Sequence, residues 1–162
     1  MATRPDGDPP AALPVTTELV IGNDLAQLPQ LSAALERLGE AHGIATQPLY
    51  QLQVALDEMV SNVIRYAWPE GGSHLIHVRM TVATGRVTIQ ISDDGRPFDP
   101  HDAPAPAPPQ PGQRSRPGGL GVHMVKQIVE QLDYTRADGR NCLTMSKTCA
   151  VGAPPQATQQ GR

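Results

Sequence analysis

Residues 55–68 read ALDEMVSNVIRYAW, and this stretch decides the fold. At 100° per residue, Leu52, Leu56, Met59, Val60, Val63 and Ile64 gather on one side of a helix. Glu58, Asn62, Arg65 and Tyr66 gather on the other, spaced i, i+4, i+7 and i+8. One face is suited to a core, and the opposite face carries a carboxylate and a carboxamide one turn apart. A carboxylate can accept a proton, and an amide oxygen is a hard ligand suited to Mg²⁺.

Working outward, Thr46 is a plausible N-cap for this helix, with Pro48 in its first turn. Pro69 and Gly71-Gly72 end it near Ala67. Upstream, Val15 to Ile21 fits a short strand. Leu28, Leu31, Leu35 and Leu38 mark a helix over 28–41, with Gly43 as its stop. Downstream, Ile76, Val78, Met80 and Val82 alternate with polar residues. Val87, Ile89 and Ile91 do the same after the Ala83-Thr84-Gly85-Arg86 turn, which predicts an antiparallel hairpin with one buried face.

The segment 99–117 carries seven prolines and no aliphatic residue larger than Ala. A loop of this length inside a compact domain is usually functional or disordered, and we expect a mobile lid, with a plain flexible insertion as the alternative. From Gly119 the spacing of Val122, Val125, Val129 and Leu132 predicts a third helix reaching about Leu132. A turn at Asp138 to Asn141 and a last strand over 142–147 follow. The expected order is β, α, α, β, β, lid, α, β. It implies an α+β two-layer sandwich, with helices on one face of a mostly antiparallel sheet.

Composition narrows the function. The chain has 162 residues, 39% hydrophobic and 18% charged, with net charge −3. That suits one globular domain and gives no electrostatic reason to expect nucleic acid or a membrane as partner. One Phe, one Trp and three Tyr are too few for a base-stacking platform. Residues 1–14, with four prolines, read as a flexible leader without a secretory signal, and 151–162 as a disordered tail. The ordered domain should span 15–148. Cys142 and Cys149 lack metal-ligand spacing and fit a reduced, cytoplasmic chain.

Two further motifs bear on chemistry. Asp93-Asp94-Gly95 ends the hairpin; a carboxylate there can accept a hydrogen bond from the exocyclic amino group of adenine, and Gly95 would let the base approach the backbone. Gly118-Gly119-Leu120-Gly121 opens the third helix, where free N–H groups and the helix dipole favour phosphate. No Gly-Lys-Ser/Thr follows, so this is not a Walker A loop.

In this order, ALDEMVSNVIRYAW, ISDDGRPFDP, GGLGVHMVKQIVEQLDY and NCLTMSK resemble the N-box, G1 and G2 motifs and the last strand of the GHKL, or Bergerat-fold, ATPases. The resemblance covers about Val15 to Lys147. Within that superfamily the chain looks most like the anti-sigma-factor serine/threonine kinases of bacterial partner-switching systems. The resemblance implies that ATP and Mg²⁺ are bound, with Glu58 as the base that activates the attacking hydroxyl and Asn62 as the Mg²⁺ ligand. It places Asp93 on the adenine amino group with Gly95 beside it. Gly119, Leu120, Gly121 and Val122 would cradle the phosphates by backbone N–H groups, with Arg65 beside the site. Thr144 would lie near adenine, and Arg114 or Arg116 in the lid would reach the γ-phosphate. The implied substrate is a STAS-domain antagonist protein; a sigma factor and a second copy of the chain are further partners the family admits. A nucleotide-dependent binding switch with little turnover is the alternative. The sequence departs from the family at Tyr66, where many members have His, and in its proline-rich lid.

Overall fold

A computed structural model describes residues 13–103 and 119–150. Its elements are β1 (Val15–Gly22), α1 (Leu28–Ala41), α2 (Thr46–Tyr66), β2 (Leu75–Ala83), β3 (Arg86–Asp93), α3 (Gly119–Ile128), β4 (Gln131–Ala137) and β5 (Arg140–Thr148). Short 3₁₀ turns at Leu25–Gln27 and Pro100–Asp102 complete it. The five strands form one antiparallel sheet in the order β1-β2-β3-β5-β4.

The alternation read from the sequence sets the two faces of the sheet. Ile76, Val78, Met80 and Val82 from β2, Val87, Ile89 and Ile91 from β3, and Leu143 and Met145 from β5 are buried in one cluster. Leu31 and Leu35 of α1, Leu52, Leu56 and Met59 of α2, and Val122 and Val125 of α3 complete it. The opposite face carries polar side chains, among them the Glu18–Arg79 ion pair at 2.6 Å and the Thr16–Thr81 hydroxyl pair. The sandwich is therefore two-layered, as expected.

Two local expectations are corrected. Thr46 is the first helical residue of α2 rather than its cap; Ala45 holds the cap position without a side-chain bond. More consequentially, α3 stops at Ile128 and residues 131–137 form a fifth strand, β4. The helix ends because Glu130 N–H turns to Ser146 O at 3.0 Å, and Lys147 Nζ takes the free carbonyl of Ile128 at 2.8 Å. Leu132 therefore packs from the sheet, opposite Met145. The β4–β5 hairpin closes through Asp138 (φ 51°) and Gly139 (φ 76°), and the β2–β3 hairpin through Thr84 (φ 45°) and Gly85 (φ 71°). Two-residue turns with positive φ at both positions match the twist of the strands they join.

Of the expected leader, lid and tail, residues 1–12, 104–118 and 151–162 lie outside the described residues. The described start of the lid is tied down by Asp99 Oδ1, which accepts from the backbone N–H of His101 at 2.8 Å.

Candidate nucleotide site

Helix α2 serves core and site together. Leu52, Ala55, Leu56, Met59 and Val60 are buried on its sheet-facing side. Asn62 is buried as well, at 5% exposure, although it lies off the apolar stripe. Its Nδ2 has no hydrogen-bond partner among the described residues. A buried amide left unpaired costs about 1–3 kcal/mol, so this atom marks a place where a ligand's polar group is due.

One turn earlier, Glu58 lies against the start of α3. A Cβ built on Gly121 would overlap Glu58 Oε2 and stand 3.0 Å from its Cδ. Glycine is required here by close approach, and the approach brings the carboxylate to the N-terminal turn of α3. The neighbouring Asp57 points elsewhere: Ser32 Oγ of α1 donates to its Oδ1 at 3.4 Å. Partial burial pushes the Asp57 carboxyl above its ordinary value; the Ser32 bond opposes this and the charge of Glu58 adds to it.

Next to Asn62 a cleft of about 480 Å³, open solvent at its mouth included, runs between α2 and the sheet. Met59, Val63, Ala67, Ile91 and Leu143 make apolar walls. Asn62, Asp93 and Asn141 supply polar groups inside, and Tyr66, Arg96, Phe98 and Tyr134 also line it. A flat apolar slot with a few polar atoms suits a heteroaromatic base.

Asp93 ends β3 and is 3% exposed. Gly95 N–H donates to its Oδ1 at 2.8 Å, and so does Asn141 Nδ2 at 2.8 Å. Gly95 is also packed tightly against its neighbours. A Cβ there would overlap that of Ala67 and stand 2.8 Å from Ala67 O and 2.9 Å from Asp93 Oδ1. Its missing side chain lets the 93–96 turn close on the end of α2, where Arg96 N–H donates to Ala67 O at 2.8 Å. Outside the cleft, Trp68 Nε1 donates to Asp94 Oδ1 at 3.0 Å, and the Trp68 and His74 rings stack 4.4 Å apart.

The remaining sequence candidates are dispersed. Val122 is fully buried in the core, so only its backbone can face a ligand, while Leu120 is 60% exposed. Arg65 is exposed on α2 and does not line the cleft. Thr144 lies on the far face of the sheet: it is opposite Gln90, whose Nε2 donates to its hydroxyl at 3.5 Å. Because side chains alternate, the β5 residues on the cleft side are Asn141 and Leu143. Arg114, Arg116 and Gly118 lie outside the described residues. Asn141 is the polar residue that sequence reading missed. It stood inside a predicted turn, and only the pairing of β3 with β5 gives it meaning.

This geometry belongs to a nucleotide-binding α+β sandwich, and comparison with known proteins gives the class a family. Residues 21–147 match the family model described as the Histidine kinase-like ATPase domain, and the chain belongs to that family. It is similar to the serine/threonine-protein kinase BtrW of Bordetella bronchiseptica, 29% identical over 101 residues that cover 62% of this chain and 71% of that protein. It is also similar to the serine-protein kinase RsbW of Oceanobacillus iheyensis, 23% identical over 113 residues, 67% and 69% of the two chains. Among solved structures, the RsbU and RsbW domains of a Mycobacterium tuberculosis protein superpose with a TM-score of 0.57 at 14% identity. That match covers 86% of this chain and 34% of the other. The likeness to the solved structure is one of fold. The curated relatives are named as protein kinases, BtrW a serine/threonine-protein kinase and RsbW a serine-protein kinase.

Proposed function

We propose that this protein binds Mg-ATP in the cleft and transfers the γ-phosphoryl group to a serine or threonine hydroxyl of a STAS-domain antagonist, as a kinase of a partner-switching circuit that also contacts a sigma factor. One observation carries the reading: the unpartnered buried amide of Asn62 one turn from the Glu58 carboxylate, which rests on Gly121 at the N-terminus of α3. That arrangement offers an N–H donor for a phosphate oxygen, a base and a dipole end in one place.

The roles follow from chemistry. Asp93 accepts a hydrogen bond from the base in the apolar slot. Gly119, Leu120 and Gly121 present backbone N–H groups at the positive end of α3 to the phosphates. Glu58 takes the proton of the attacking hydroxyl as its oxygen bonds to the γ-phosphorus and the β–γ bridge breaks. Among the described residues no group of three or more His, Cys, Asp or Glu could hold a metal ion. By the family resemblance, Asn62 is the side chain that would hold Mg²⁺, through its amide oxygen, with the remaining ligands from phosphate and water, the usual habit of this ion. When bound, Mg²⁺ neutralises charge on the phosphate oxygens.

A second reading, a nucleotide-dependent binding switch with little turnover, draws support from the seating of Glu58. With its carboxylate packed against Gly121, the side chain has to turn before it can meet a hydroxyl. One experiment separates the two. The protein is incubated with Mg-ATP and a STAS-domain protein from the same organism, and the partner is examined by mass spectrometry. A phosphorylated serine or threonine supports the kinase; nucleotide-dependent association without phosphate on the partner supports the switch.

No helix among the described residues is long and apolar enough to cross a membrane.

A further inference from the structure

Asn141 begins the cleft-side row of β5, directly opposite Asp93 in the β3–β5 register. Its Nδ2 donates to Asp93 Oδ1 at 2.8 Å and to Arg96 O at 3.0 Å, with Gly95 O at 3.4 Å. Its Oδ1 accepts from Tyr134 Oη at 2.7 Å and from an Arg136 guanidinium nitrogen at 2.6 Å. The same guanidinium nitrogen donates to Gly95 O at 2.9 Å. Acceptors surround one end of the amide and donors the other. A flipped amide would set like against like at Asp93, Gly95, Arg96 and Arg136, and only the Tyr134 hydroxyl could adapt, so the network favours one orientation.

This arrangement divides the two oxygens of Asp93. The hydrogen bonds it accepts among the described residues, from Gly95 N–H and from Asn141, fall on Oδ1. Oδ2 is left for a donor that the described residues do not supply. The chain from the Arg136 cation through the Asn141 amide to the Asp93 carboxylate runs positive to negative, so each bond polarises the next. Without Asn141, Oδ1 keeps the Gly95 N–H alone, and the carboxylate is free to turn about its last torsion.

We infer that Asn141 is a positioning residue for base recognition: anchored by Tyr134 and Arg136 from β4, it holds Asp93 so that Oδ2 faces an amino group on the bound base. The inference rests on the reading of Asp93 as the base-contacting residue. It assigns selectivity for an amino-bearing purine to Tyr134, Arg136 and Asn141 on the last two strands. Tyr134 and Arg136 act through Asn141 and Gly95.

The test titrates the full chain by calorimetry with Mg-ATP and with Mg-purine riboside triphosphate, which has the same ring and phosphates but no 6-amino group. A buried hydrogen bond to a charged group is worth about 1.5–3 kcal/mol, so the parent protein should prefer ATP by about 10-fold or more. Asp93→Asn should erase that preference. Asn141→Ala should lower ATP affinity about 10-fold and leave purine riboside triphosphate affinity within about 2-fold of the parent. The double variant Tyr134→Phe with Arg136→Met, which leaves the buried Asn141 in place, should show the same selective loss. Equal weakening of both nucleotides by Asn141→Ala, or an intact ATP preference in the double variant, overturns the positioning role. Absence of any preference in the parent protein overturns the base-contact reading itself.

Discussion

Residue 121 and Glu58 exclude one another beyond a hydrogen atom: a methyl group on the former would occupy the place of Oε2 of the latter. Gly121→Ala therefore displaces the proposed base while improving the helix, since alanine is favoured over glycine by about 1 kcal/mol inside a helix. Phosphoryl transfer to the partner protein should fall about 10²-fold, while the thermal midpoint changes little. A variant with the parent's transfer rate would show that Glu58 does not act from its seat on Gly121.

Glu58→Gln keeps the shape of the side chain and removes its basicity. Transfer should drop by about 10² to 10⁴, with ATP affinity by calorimetry within a few-fold of the parent. Phosphorylation that persists at the parent's rate would count against the assignment, and loss of ATP binding would show that Glu58 holds the nucleotide instead.

Asp57 gives a prediction in pH. Partial burial raises its folded-state pKa above the ordinary 3.8, with the Ser32 hydrogen bond opposing and Glu58 reinforcing the shift. The folded state then binds more protons than the unfolded one as pH rises through that value. Stability falls across this window and the cost persists above it. Asp57→Asn removes the charge and can still meet the Ser32 hydroxyl. Its thermal midpoint should exceed the parent's at pH 7, and the difference should vanish on acidification below about pH 3.8. A lower midpoint at pH 7 would contradict the sign.

Met145 tests how much the last strand contributes to the core. It is fully buried, opposite Ile89 on one side and Leu132 on the other. Met145→Ala should cost about 2–5 kcal/mol by chemical denaturation. A loss under 1 kcal/mol would mean that β5 is held mainly by its backbone ladder.

Much of this architecture is legible in the sequence because hydrophobic period and element type agree. Helices α1 and α2 and the β2–β3 hairpin follow from spacing alone, and the angular separation of Glu58 and Asn62 from the apolar stripe follows from the same count. The failures have a common cause. Leu132 fits the helical stripe of Val125 and Val129 as well as it fits the alternation of a strand. What ends α3 is a pair of contacts to Ser146 and Lys147 from another strand. Thr144 and Asn141 lie three positions apart on β5 and so face opposite sides of the sheet; which of them meets the cleft depends on register with β3, which no local pattern encodes. The burial of Asn62 likewise arises from tertiary packing, not from its helix alone.

The position of β5 between β3 and β4 has a bearing on synthesis at the ribosome. Among the described residues the strand that completes the sheet is translated last, and both Asp93's partner amide and the cap on α3 arrive with it. A nascent chain stopped before Arg140 would carry β3 with an unpaired apolar edge, the kind of edge that recruits other chains. Premature termination near the C-terminus should therefore yield an aggregating product rather than a shortened working protein, although most of the proposed site would already have been translated.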